Sequence, residues 1–318
     1  MTHRPNFSIV IPSFNCADLV DKAVESAYDF TKGTPEVIVV DDGSTDNSKE
    51  VFAALKMRFP DLVVIHQANG GLSCARNTGI RHAHGHFLVL LDADDQLLPI
   101  DTLDGLDVGV DMVRMGVEEV GLDNSVLFHV EKNDKMTGQE YLTSRFADQN
   151  FYTPSWAYIY RLDWLRSSEL RFGEGLIHED ILFTVEALLH CQCMISVDNL
   201  GYRYYRRPGS ITTAKSLAHT LRRIASLSTI CSKLTIHVNN YPAVDLSRWV
   251  LHTIDYAASL AEQTRSRLAR WRIFQMELAF FLANKVWPPH RTRRSIRFRI
   301  RRRLEDWLVV SSGNGPER

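Results

Sequence analysis

The first hundred residues alternate short apolar runs with longer stretches that are apolar on one face only. Phe7–Ile11 is a short apolar run ended by Pro12 and predicts a buried strand. Leu19, Val20, Ala23, Val24, Ala27 and Tyr28 then recur at helical spacing. Val37–Val40 predicts a second strand, and Ser44 or Thr45 can cap a helix carrying Val51, Phe52, Leu55 and Phe59. Leu62–Ile65 predicts a third strand. A Gly70-Gly71 turn leads into a helix near Leu72–Ala83, and Phe87–Leu91 predicts a fourth strand. This rhythm implies an α/β fold with a mostly parallel, doubly wound sheet and flanking helices.

The pattern changes after residue 100. Asp111–Val120 and Val126–Val130 predict two strands joined by a turn. Thr137 and Glu140 make a capping box that opens a short helix, and another helix is expected to begin near Glu179 or Asp180. Beyond about Thr213 glycine and proline thin out, and the chain reads as helical up to Pro288-Pro289. The expected division is therefore 1–213, with halves 1–100 and 101–213, followed by a helical region over 214–318.

At 318 residues and 45% hydrophobic content, the chain is long and apolar enough for a sizeable core. Its longest apolar runs fall far below the roughly 18 residues a membrane span requires, and no secretion signal is visible at Met1–Pro5. Five cysteines without a CxxC pair argue against a disulfide framework and fit a reducing cytoplasm. The net charge of −1 hides an asymmetry: residues 265–318 hold 14 Lys and Arg against 4 Asp and Glu, a balance of +10 that leaves −11 on the rest.

Polar groups gather where the strands end. Asp41, Asp42, Gly43 and Ser44 follow the second strand; Asp92, Asp94 and Asp95 follow the fourth. Ligands of open α/β sheets bind at the carboxyl ends of strands, so both clusters should face one crevice. Three carboxylates within four residues repel one another unless a cation lies among them. A hard divalent cation, magnesium or manganese, would resolve this and complete its shell from a bound phosphate. One of Asp41 and Asp42 is expected to hold the turn and the other to accept a hydrogen bond from a nucleobase or ribose. The Asn69–Ser73 stretch can offer backbone N–H groups to phosphate or sugar oxygens, and Arg76 can pair with a diphosphate.

Four segments together resemble family 2 glycosyltransferases of the GT-A fold: Ser8-Ile-Val-Ile-Pro-Ser-Phe-Asn15, Val39-Val-Asp-Asp-Gly-Ser-Thr-Asp46, Gly70-Gly-Leu-Ser-Cys-Ala-Arg-Asn77 and Leu91-Asp-Ala-Asp-Asp95. A weaker resemblance runs to about Thr213 through Trp156, Phe172–Asp180 and Tyr204–Thr212. It implies inverting transfer from a nucleotide-diphospho-sugar, with UDP the expected nucleotide, to a saccharide or lipid-linked acceptor in cell-surface polysaccharide synthesis. Pro12, Phe14, Asp41 and Asp42 would line the donor site, with Asp42 on the base. Asp92, Ala93 and Asp94 would form the Asp-x-Asp motif, with Asp94 the direct metal ligand and Asp92 its companion. Asp180 would be the catalytic base and Glu179 would shape the acceptor site. Arg206, Arg207 and Ser210 lie where relatives carry a segment over the diphosphate. Trp156 and Tyr158 suit either sugar stacking or core packing, and His178 either acceptor contact or packing.

From Arg291 to Arg303 there are eight arginines and no acid, with Ile296, Ile300, Leu304, Trp307 and Leu308 on one helical face. Such a helix over 291–308 suits an anionic membrane surface, which would place a cytoplasmic enzyme at the inner face of the cell membrane; packing on the acidic body is the alternative. No nucleic-acid module accompanies the charge. Two other classes stay open: a nucleotidyltransferase, which lacks a Gly-rich, Lys-bearing loop here, and a catalytically silent binding or scaffold protein.

Overall fold

The computed structural model describes residues 6–284 except 104–105, 108, 132–133, 148–153, 208–215 and 265. Its parallel half follows the apolar rhythm. The strands are β1 (Phe7–Ser13), β2 (Glu36–Asp41), β3 (Val63–His66) and β4 (Phe87–Leu90), connected by α1 (Val20–Tyr28), α2 (Ser48–Arg58) and α3 (Leu72–His82). β1 lies between β2 and β4, and β2 pairs with β3, all parallel. Every residue of β1 is buried, as a central strand covered on both faces requires. Helix α3 lies so close to β1 that a Cβ on Gly79 would fall 2.1 Å from a Val10 methyl. Only glycine allows this approach, and it sets the depth at which α3 presents its side chains.

Helix α2 starts at Ser48 rather than at the expected Ser44 or Thr45 caps. The Asn15 side-chain oxygen accepts the Thr45 and Asp46 amides, and Asp41 accepts the Ser44 amide. Residues 44–46 are thereby held as a loop against the end of β1.

Beyond β4 antiparallel pairs join the parallel ones, so the sheet as a whole is mixed. β4 pairs with β9 (Tyr158–Arg161), and β9 pairs with β6 (Met112–Val120), both antiparallel. β6 runs parallel to β10 (Met194–Tyr205) and antiparallel to β7 (Val126–His129). β10 also takes the short β5 (Gln96–Leu97) and β8 (Asp134–Met136), again antiparallel. The β5–β10 register sets Leu97 against Tyr202 and Gln96 against Arg203. This brings the end of β10 beside Asp92–Asp95.

The capping box at Thr137 and Glu140 forms as expected and opens α4 (Gly138–Ala147), with Thr137 Oγ1 accepting the Glu140 amide at 3.2 Å. α5 (Leu162–Ser167) follows β9, and α6 (Glu179–His190) begins on the expected acidic pair. The helical C-terminal region holds α7 (Leu217–Asn240), α8 (Leu246–Thr264) and α9 (Arg267–Asn284), which pack on one another, with α7 also against α6. No helix among the described residues is long and apolar enough to cross a membrane. The basic segment 291–308 and Ser210 lie outside the described residues.

Candidate active site

The acidic turn after β2 is held from inside. Asp41 is 1% exposed and accepts the Ser44 amide while its other oxygen meets His66 Nδ1 at 2.8 Å. Asp42 receives Gln67 Nε2 at 2.7 Å and the Gly70 and Gly71 amides at 2.9 and 2.7 Å. Gly71 has φ +86°, a conformation that suits glycine. Asp41 thus plays the expected turn-holding part. Asp42 organises the Gly70-Gly71 loop at the start of α3. Pro12 is buried inside β1 opposite Val40, whereas Phe14, just beyond the strand, is 46% exposed.

Asp92, Ala93, Asp94 and Asp95 follow β4 but have three different environments. Asp95 is 2% exposed and accepts the Tyr202 hydroxyl and the Tyr205 amide, each at 2.9 Å. The Tyr202 oxygen in turn accepts the Asp92 amide at 3.2 Å. Asp95 and Tyr202 therefore brace the motif from behind. Ala93 is buried, and the Asp92 and Asp94 side chains are the two that reach solvent, at 24% and 37% exposure. Arg207 donates to the Asp94 carbonyl, with its Nε 3.9 Å from the Asp94 carboxylate. Arg206 instead bonds Glu119.

Arg76 departs from its expected place. Its guanidinium is 1% exposed and lies beneath the site, donating to Asp92 and to Glu179 at 2.7 Å each. Burial alone would lower its pKa, but the charges of Asp92, Glu179 and Asp180 outweigh that and push it up. It therefore ties the strand-end motif to the first turn of α6, with its Nε buried and without a hydrogen-bond partner among the described residues. Phe172 lies over this guanidinium at 5.1 Å and stacks on Phe183 of α6 at 3.8 Å. The next residue, Asn77, clasps the Phe172 backbone from both sides, accepting its amide and donating to its carbonyl at 2.9 Å each. Successive residues of α3 thus anchor both ends of the segment that leads to the acidic pair.

Glu179, expected at the acceptor side, is 6% exposed and turned to Arg76. Asp180 is half-buried and receives the Ser155 backbone N–H. Burial and the neighbouring Asp180 push the Glu179 carboxyl up, against the pull of Arg76. Burial likewise pushes up Asp180, opposed by Arg76 and helped by Asp92. Burial and the Asp92 charge push Asp94 up as well, with Arg207 opposing.

These carboxylates fit a hard divalent cation. Asp94 and Asp92 offer oxygen only, both reach solvent, and their mutual repulsion is relieved by a positive charge between them. Among the described residues no group of three or more His, Cys, Asp and Glu is arranged to hold a metal. The rest of the shell would therefore come from water and substrate oxygens, which suits magnesium or manganese.

The aromatic candidates resolve as core. Trp156 is 6% exposed and stacks on Tyr202 and Tyr204, with ring centroids 4.1 and 5.4 Å away. Tyr158 is fully buried beneath Arg114. Sequence reasoning missed Tyr202, Asn77 and Gln67. The one available signal was Asn77 directly after Arg76 on a helix whose N-terminus carries a Gly-Gly turn.

A parallel strand–helix half, an Asp-x-Asp pair at a strand end and an acidic helix start give the chain a GT-A-type fold. The chain belongs to the family described as Glycosyl transferase family 2, which matches residues 8–160. It is 31% identical over 238 residues to the succinoglycan biosynthesis protein ExoO of Rhizobium meliloti (strain 1021), covering 70% of this chain and 67% of that one. It is 29% identical over 222 residues to the uncharacterized glycosyltransferase YibD of Escherichia coli (strain K12), covering 67% of this chain and 64% of that one. It thus spans a little under two thirds of that relative's length. Among solved structures, residues 1–349 of S. aureus TarS in complex with UDP-GlcNAc share the fold, with a TM-score of 0.62 at 22% identity over 87% of this chain and 81% of that one.

Proposed function

We propose that this chain is a metal-dependent inverting glycosyltransferase. It moves a sugar from a nucleotide-diphospho-sugar, with UDP the favoured nucleotide, to a hydroxyl of a saccharide or lipid-linked saccharide in polysaccharide synthesis. The observation that supports this most is the Asp92–Arg76–Glu179 chain, which joins the Asp-x-Asp motif to the acidic pair in one charged unit. ExoO, named for succinoglycan biosynthesis, supports the product class, and TarS with its UDP-GlcNAc supports the donor class.

In this reading Asp94 and Asp92 would hold a divalent cation, and its charge would offset the negative charge gained by a leaving diphosphate. Phe14 lies at the mouth of the donor site and Arg207 at the diphosphate end. Asp180 accepts the acceptor hydroxyl proton as that oxygen attacks the anomeric carbon. The leaving diphosphate departs from the opposite face, so a single displacement inverts the configuration. Its raised pKa makes Asp180 a stronger base than an exposed aspartate. The Ser155 backbone N–H holds that carboxylate.

Asp180→Asn tests the assignment. Transfer should fall at least about a hundredfold while the donor Kd holds. Unchanged transfer would remove Asp180 as the base.

A further inference from the structure

The residue before the acidic pair has an unusual backbone. His178 caps α6 with φ 67° and ψ 36°, in the left-handed region, and its side chain makes no capping hydrogen bond. For a residue with a Cβ such a conformation costs roughly 1–3 kcal/mol and persists only where the surroundings enforce it. The enforcing contacts come from the C-terminal helices. Arg223 of α7, 6% exposed, sets its Nε 3.2 Å from His178 Nε2. The same guanidinium donates to the Tyr256 hydroxyl of α8 and lies 5.7 Å from that ring's centroid. The Tyr256 ring also meets the His178 imidazole edge-on at 5.6 Å and 72°. One turn further along α7, Ser226 Oγ accepts the Ile177 amide at 3.0 Å. Two successive residues before Glu179 are therefore held by one face of α7.

We propose that Arg223, supported by Tyr256, is a positioning residue for Asp180: it grips His178 and so fixes the left-handed residue from which α6 and its acidic pair start. The inference rests on the reading of Asp180 as the base. Arg223 can only donate, so His178 Nε2 must accept and the ring proton sits on Nδ1. Burial, Arg223 and His219 together push the imidazole down to about 4, which keeps it the neutral acceptor this clamp needs. Glu179 and Asp180 are the first two residues of α6, so a change in His178 φ and ψ swings both carboxylates directly. A shift of about 1 Å at a reacting group can cost on the order of a hundredfold in rate. Both clamp residues lie beyond residue 160, where the family match ends. The C-terminal helices therefore complete the catalytic geometry of this chain rather than merely following it.

The test uses the full-length protein with Arg223→Gln, Arg223→Lys, His178→Gly and the Arg223→Gln/His178→Gly pair. Nitrogen NMR of His178 should show a bare Nε2 and a protonated Nδ1 in the parent chain. A protonated Nε2 overturns the clamp, whether or not any sugar is transferred. In the parent background Arg223→Gln should lower kcat by about tenfold or more with donor Kd within about twofold, and Arg223→Lys should recover part of the loss. Glycine adopts the left-handed conformation unaided, so Arg223→Gln should cost little further in the His178→Gly chain. An unchanged kcat, an equal loss in both backgrounds, or a donor Kd that weakens in step with kcat overturns the proposal. If the parent chain transfers no sugar from any donor, the proposed reaction fails, and the imidazole tautomer alone decides the clamp.

Discussion

Replacing Arg76 with methionine removes a buried guanidinium that holds two carboxylates at 2.7 Å. The two losses are unequal. Asp92 is 24% exposed on its side chain and can recover water, but Glu179 is left buried without its cation. Removing one partner of a buried ion pair costs about 3–5 kcal/mol, chiefly through the stranded charge. Arg76→Met should therefore destabilise the fold by about 3 kcal/mol or more at pH 8. Glu179→Gln removes the charge that would be stranded, so in that background the same substitution should cost only about 1 kcal/mol. The coupling in the double-mutant cycle is then about 2 kcal/mol. Urea unfolding followed by tryptophan fluorescence and circular dichroism at matched m-values measures all four chains. At acidic pH Glu179 can take up a proton in the Arg76→Met chain, and the gap to the parent should narrow. Equal cost of Arg76→Met in both backgrounds would refute the view that Arg76 exists to hold Glu179.

Further outcomes follow from the same contacts. The Glu179 carboxyl is raised in the folded state, so between its ordinary value of 4.5 and the raised one the folded state binds more protons, and stability falls as pH rises; Glu179→Gln should flatten that slope in urea titrations across pH. Asp180 must be ionised to act, so the rising limb of kcat against pH should lie above the ordinary aspartate value of 3.8, and a limb at or below it would contradict the burial argument. Asn77→Ala leaves the Phe172 amide and carbonyl without partners and should cost about 1–3 kcal/mol in unfolding experiments. Gly79→Ala forces a methyl group against Val10 and should cost about 1–3 kcal/mol, with loss of donor binding if α3 shifts outward.

The parallel half was legible because each of its strands is a compact apolar run and each helix shows one apolar face. β10 was not. Its twelve residues are interrupted by Asp198, Asn199 and Gly201, and its pairing with β6 shifts register between Ser196 and Tyr202. These irregularities break the period of two on which strand recognition depends. β9 is only four residues long and reads as an aromatic cluster. The acidic clusters stand out in the sequence because carboxylates this close at strand ends repel one another unless a cation lies among them. Their division of labour does not. Arg76 and Glu179 lie 103 positions apart, and nothing local to either announces the other. Arg76 follows a Gly-Gly turn and suggests a phosphate contact, yet the close packing of α3 on β1 at Gly79 carries it beneath the site. Trp156 shows the same limit: an aromatic next to a binding crevice can stack on a sugar or on Tyr202, and only the fold chooses.

The most direct test of the central claim is a calorimetric titration of UDP- and GDP-sugars into the folded protein, with and without manganese, beside Asp94→Asn. The account predicts that one nucleotide-sugar class binds only when the metal is present, and that Asp94→Asn abolishes this metal dependence while the fold persists. Binding of no donor to folded protein, or equal binding by the parent and Asp94→Asn with and without metal, would contradict it.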